Sequence, residues 1–204
     1  VTIPKGVKEI PRNVFLNCTS LTSITIGNDV THIAREAFRG CTALEEVVIL
    51  DGVTTIDRDA FIYCTGLKEV SIGNGVKSIG RWMFSGCTAL EKVTLGNGVT
   101  SIGSEAFEDC VSLPAIVLPD SITTIESSLF RGCSALKEVG IGNRVTSIES
   151  NAFTGCSALE EITIPQSVES IGVSAFYDCS QLKKVNIGTG VTSIGTDAFL
   201  GTAI

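Results

Sequence analysis

Apolar and polar residues alternate in short bursts along this chain, and the bursts return every 23 residues. In Leu67-Lys68-Glu69-Val70-Ser71-Ile72, Val70 and Ile72 alternate with Glu69 and Ser71. Period-two alternation of β-branched residues predicts a short, half-buried strand. Gly73-Asn74-Gly75 follows and predicts a turn, because Gly and Asn both tolerate positive φ. Val76 and Ile79, with polar residues between them, predict a second extended piece on another side. Met83, Phe84, Cys87 and Leu90 then fall at spacings of 1, 3 and 3. That spacing predicts one or two turns of α- or 3₁₀-helix with the apolar side inward.

The repeat is strict. All nine Phe (Phe15, Phe38, Phe61, Phe84, Phe107, Phe130, Phe153, Phe176 and Phe199) and all eight Cys, from Cys18 to Cys179, obey it. A fixed period of this size marks a solenoid, in which each repeat is one coil stacked on the last. Residues 1–204 therefore read as one solenoid domain of about nine 23-residue repeats, part of a longer chain. Equivalent residues should lie about 4.8 Å apart, the spacing of paired strands. Buried at roughly 1.5–3 kcal/mol each, the Phe column should form a continuous spine.

The cysteines belong to the same pattern. Stacked equivalents have parallel Cβ vectors, whereas a disulfide needs Cβ atoms that converge. A straight ladder does not converge on a metal either, and the single His, His32, lies elsewhere in its coil. Buried free thiols are the favoured reading over disulfide or metal. No metal or other cofactor is expected. Because no nucleophile, base and orienting group depart together from the repeat, the chain reads as a non-enzyme.

The net charge of −7 argues against nucleic acid as a partner. No apolar run reaches the roughly 20 residues of a membrane helix, so this segment is not expected to insert into a membrane.

The unit Leu-x-x-Val-x-Ile-Gly/Pro-x-x-Val-x-x-Ile-x-x-x-Ala-Phe-x-x-Cys-x-x-Leu recurs along the whole chain. It resembles the BspA-like leucine-rich repeat. The resemblance implies an α/β repeat solenoid, a right-handed curved coil with a parallel sheet of Val-x-Ile strands on its concave side and short α or 3₁₀ turns elsewhere. It also implies a cell-surface or secreted protein used in adhesion. The partners it implies are protein or glycan ligands, a host surface or extracellular matrix among them.

Residues that break the pattern are the candidates for binding. Arg12, Arg35, Arg58 and Arg81 stack in four consecutive coils, after which the column turns to Ser104 and Ser127. Four like charges about 5 Å apart repel unless neutralised. Glu36, Asp57 and Asp59 are near enough in sequence to do so, which leaves a paired row or an anion-binding strip as alternatives. Trp82 stands where other coils carry Glu36, Asp59 and Glu105, and is expected to be exposed, with Ile62 and Tyr63 nearby. Arg, Trp and Tyr together have the composition of an interaction hot spot. A second candidate is the concave floor, with small or apolar residues at Thr25, Val48, Ser71, Thr94, Pro114 and Val117. Thr202 replaces the expected Cys and no polar cap is legible, so end-to-end self-association is a further expected contact. The alternative to a binding module is a spacer with no ligand of its own.

Overall fold

Burial follows the columns. The computed structural model describes residues 1–204. Short and long strands alternate along the chain: β1 (Glu9–Ile10), β2 (Ser23–Ile26), β3 (His32–Ile33), β4 (Glu46–Ile49), β5 (Thr55–Ile56), β6 (Glu69–Ile72), β7 (Ser78–Ile79), β8 (Lys92–Leu95), β9 (Ser101–Ile102), β10 (Ala115–Val117), β11 (Thr124–Ile125), β12 (Glu138–Gly140), β13 (Ser147–Ile148), β14 (Glu161–Ile164), β15 (Ser170–Ile171), β16 (Lys184–Ile187) and β17 (Ser193–Ile194). Even strands pair only with even strands and odd with odd, always parallel and in repeat register, as in Val47 beside Val70 and Ile10 beside Ile33. Each coil thus presents a long-strand face, a short-strand face and a turn face. Coils are named below by their Phe.

The Phe rings stack down the interior with centroids 4.8–5.8 Å apart. Phe61 and Phe84 are 5.7 Å apart with planes 16° from parallel, and the seven rings from Phe38 to Phe176 are fully buried. The cysteines remain free thiols. Each from Cys41 to Cys179 donates its S–H to the Phe carbonyl of the preceding coil, as Cys64 does to Phe38 O at 3.1 Å. The same carbonyl accepts a backbone N–H three residues on, such as Cys41 N–H at 3.2 Å. The thiol thus occupies the second acceptor site of a buried carbonyl. Burial pushes the Cys87 thiol up to about 12, so it stays protonated and inert at neutral pH.

The expected helical turn is absent. The turn face is a chain of tight turns, and two of its columns take positive φ in every coil. One runs Asn13, Glu36, Asp59, Trp82, Glu105, Ser128, Asn151, Ser174 and Asp197; the other runs Asn17, Gly40, Tyr63, Gly86, Asp109, Gly132, Gly155, Asp178 and Gly201. A right-handed helix cannot contain left-handed residues at this spacing. Their amides instead point to the next coil. Asp59 N–H donates to Arg81 O at 3.1 Å, Phe61 N–H to Met83 O at 3.1 Å and Tyr63 N–H to Ser85 O at 2.9 Å. The turn face is stitched coil to coil as firmly as a sheet.

The strand ladders are not continuous. In an intact step the donors are residues such as Lys68, Glu69 and Gly73, the last giving Gly73 N–H to Ile49 O at 2.8 Å. In the Phe130 coil the equivalents of Lys68 and Gly73 are Pro114 and Pro119, which have no N–H. No backbone bond joins β8 to β10 there, nor β9 to β11 on the short-strand face. It is the one step where both faces lose their ladder. A cleft of about 290 Å³ opens between Val93, Thr94 and Leu95 on one side and Val117, Leu118 and Pro119 on the other. The backbone hydrogen bonds that bridge the step all lie on the turn face, Glu105 N–H to Ser127 O, Phe107 N–H to Leu129 O and Asp109 N–H to Arg131 O. Hydrogen exchange is expected to show this seam directly. The amides of Ala115 and Val117, which lack backbone acceptors, should exchange well before those of Lys92 and Gly73. Equal protection at the four amides would mean that the ladder is closed in solution.

Candidate interaction site

Glu36, Asp59 and Trp82 share one left-handed column, and Tyr63 lies in the other. Of the eighteen left-handed positions in the two columns, sixteen hold Gly, Asn, Asp, Ser or Glu. Those residues are small, or can bond their own backbone, and enter this region most readily. Trp82 (φ 56°) and Tyr63 (φ 59°) are the two bulky exceptions. A left-handed backbone costs a residue with a Cβ about 1–2 kcal/mol, and such strain concentrates at functional sites. Tyr63 is accommodated because Gly86 follows it in the next coil, where an added Cβ would stand 2.5 Å from Tyr63 Cδ1. The pairs Asn17–Gly40, Asp109–Gly132 and Asp178–Gly201 repeat the device.

Stacking brings both aromatics to one cavity of about 360 Å³ on the turn face. Ile62, Ser85, Asp59 and Glu36 are buried residues of its lining, and Arg35, Arg39 and Glu108 complete it. Ser85 links the aromatics through the backbone, accepting from Tyr63 N–H and donating its own N–H to Trp82 O at 3.2 Å. Tyr63 is 49% exposed. Trp82, expected to be exposed, is half-buried because the Arg81 guanidinium lies 3.7 Å over its ring. Ile62 is buried in the floor rather than projecting.

The arginine row is mostly paired, one coil ahead. Arg12 Nη2 reaches Glu36 Oε2 at 3.3 Å, Arg35 Nε reaches Asp59 Oδ2 at 3.2 Å, and Arg81 holds Glu105 through two bonds of 2.7 and 3.2 Å. At the equivalent step the position one coil ahead of Arg58 holds Trp82 instead of a carboxylate, and the acid that Arg58 reaches is Asp59 in its own coil at 3.8 Å. So the row is no free anion strip. Asp57, one of the expected neutralisers, faces His32 instead, with Oδ1 3.2 Å from Nε2. Burial would push the Glu36 carboxyl up, but the Arg12 hydrogen bond and the charges of Arg35, Arg12 and Arg39 outweigh it and hold the group below its usual range. Glu108 goes the other way. Burial pushes it up, and Arg131 at 2.7 Å only partly opposes the effect.

Arg39, Ser85 and Glu108 escaped sequence reasoning, although they share a column with Ile62 and could have been found by reading it downward. The long-strand floor is a separate surface. Thr25, Thr94 and Pro114 are exposed, Val48 and Ser71 half-buried, and Val117 stands 77% exposed beside the seam. The turn-face cavity and this floor lie on different faces of the coil.

Parallel coils in 23-residue register, a buried aliphatic and Phe interior and short strands on two faces define a leucine-rich-repeat solenoid. The chain belongs to the BspA-type leucine-rich repeat family, whose model matches residues 1–113 and 100–204. Among solved structures it is similar to a leucine-rich cell surface protein from Faecalibacterium prausnitzii, at 34% identity and TM-score 0.74 over 83% of this chain and 48% of that one. It is equally similar to the T. pallidum leucine-rich repeat protein, at 34% identity and TM-score 0.74 over 78% of this chain and 77% of that one. The pneumococcal vaccine antigen PcpA shares the fold at 24% identity and TM-score 0.74, over all of this chain and 58% of its own. The chain therefore spans about half of the F. prausnitzii protein. No curated protein sequence matches it. No helix is long and apolar enough to cross a membrane.

Proposed function

We propose that the chain is a non-enzymatic recognition module of a cell-surface or secreted protein, and that the turn-face cavity between Tyr63 and Trp82 is its contact site for a protein or glycan partner. The observation that carries this reading is the pairing of two bulky aromatics, each in a backbone conformation that disfavours it, on one cavity. Packing does not require them, because the same columns are filled elsewhere by Asn, Ser and Gly. Arg58, left without a carboxylate one coil ahead, lies 3.8 Å from Asp59 of the lining. The long-strand floor, the concave side of the curved coil that the family resemblance implies, is a secondary surface. The competing reading is a spacer, whose outward substitutions should be scattered rather than gathered in this way.

The test is the double variant Trp82→Asn, Tyr63→Asn. Asn151 and Asn17 already occupy these columns with positive φ, so the backbone should fold unchanged. Binding to immobilised extracellular-matrix and mucosal glycoprotein fractions is expected to fall by about tenfold or more, the loss of one hot-spot anchor. Unchanged affinity with an unchanged melting temperature would remove the cavity and move the contact to the long-strand floor, whereas no binding by the parent chain would leave the spacer reading.

A further inference from the structure

The structure points to the chemistry of the ligand, on the footing that the cavity is a binding site: we infer that it takes a neutral sugar ring at the end of a glycan, laid against Tyr63 and Trp82 with its hydroxyls bonded to the half-buried ion pairs of the lining. Three other classes fit less well. A cationic side chain would be repelled by the guanidinium beside each ring, Arg81 at 3.7 Å from the Trp82 centroid and Arg39 at 6.0 Å from that of Tyr63. An anionic group would enter among the carboxylates of Glu36, Asp59 and Glu108. A purely apolar side chain would cover the Arg35–Asp59 and Arg39–Glu36 pairs without replacing the water bonds they lose.

A pyranose answers all three objections. Each hydroxyl both donates and accepts, and the walls offer both, guanidinium N–H from Arg35 and Arg39 and carboxylate oxygen from Asp59 and Glu108. Its C–H faces are apolar and match the aromatic faces. The volume of about 360 Å³ lies in the range of small-ligand sites, roughly 300–1,000 Å³. That favours a glycan terminus over a long polymer.

Trp82 is the only Trp in the chain, so its emission reports on this cavity alone. The experiment titrates the folded chain with neutral disaccharides covering glucose, galactose, mannose and N-acetylglucosamine termini. A sialylated trisaccharide and a lysine-rich peptide serve as the anionic and cationic arms. At least one neutral sugar is expected to change Trp82 emission saturably, with a Kd on the order of millimolar. Tyr63→Asn should weaken that Kd about tenfold and Glu108→Gln severalfold, while Val173→Thr, at an exposed residue four coils away, should leave it unchanged. A response to a charged arm alone, or to none of the sugars, overturns the assignment. If no sugar binds yet the double variant still loses its matrix partner, the ligand class is wrong and the recognition role stands. If the double variant also binds normally, the cavity falls as the contact site and the sugar assignment falls with it.

Discussion

Replacing Phe107 by alanine is expected to cost about 3–5 kcal/mol and to split unfolding into two transitions. The first part follows from burial. Phe107 is fully buried and stacked on both sides, at 5.6 Å from Phe84 and 5.8 Å from Phe130, and truncating a core Phe carries both a transfer and a cavity cost. With total stability for a domain typically about 5–15 kcal/mol, this is a large share. The second part follows from the seam. Solenoid stability is a sum of coil terms and nearest-neighbour contacts. At the Phe107–Phe130 step both strand ladders are missing, so the ring contact and the turn-face bonds carry the coupling. Phe38→Ala is the matched control, because its step to Phe61 is paired on both strand faces and its rings lie 4.8 Å apart. It should lower the midpoint while leaving one transition. Urea titration followed by circular dichroism and by exchange of amides in each half tests this. Coincident loss of both halves in Phe107→Ala would show that the seam does not divide the array.

The columns were legible because packing places one Phe, one Cys and one Ile per coil, and identical environments select identical residues. The path of the turn face was not legible from spacing alone. Met83, Phe84, Cys87 and Leu90 have a helical spacing and are all buried, but inward projection at that spacing also arises from successive tight turns. The contrary signal lay in the recurring Gly40, Gly86, Gly132, Gly155 and Gly201, whose column is otherwise filled by Asn17, Asp109 and Asp178 apart from Tyr63. Gly, Asn and Asp sharing a column is what positive φ selects. The same column identifies Tyr63 as an anomaly, more sharply than its hydrophobicity does. The fate of the arginine row was half legible. Repulsion demanded neutralisation, and Arg35 does bond its chain neighbour Glu36, but the recurring neutraliser is the carboxylate one coil ahead, a relation set by stacking.

Substituting Gly98 by alanine is expected to destabilise the chain by about 1–3 kcal/mol, although Gly98 does not lie in the left-handed region. The cause is the approach of adjacent corners. A Cβ on Gly98 would collide with the Asn74 carbonyl oxygen and stand 3.2 Å from that of Val76. Those are backbone atoms and cannot rotate aside. Gly52, Gly75 and Gly190 meet a carbonyl of the preceding corner in the same way, and each follows a step where the long strands are paired. The column changes to Ser121 and Ser167 where that pairing is lost, after β8 and after β12. There the serine hydroxyls reach back across the step, Ser121 to Val99 O and Ser167 to Val145 O, the latter at 2.7 Å. Pro-x-Ser thus marks an open corner and Gly-Asn-Gly a closed one. The control is Gly142→Ala, at a corner where the nearest atom to an added Cβ is Asp120 Cα at 3.5 Å. It should be neutral, or stabilise by about 0.4–1 kcal/mol through the unfolded chain. Equal effects of the two alanines in urea denaturation would sink the idea that corner residues record how tightly each pair of coils is closed.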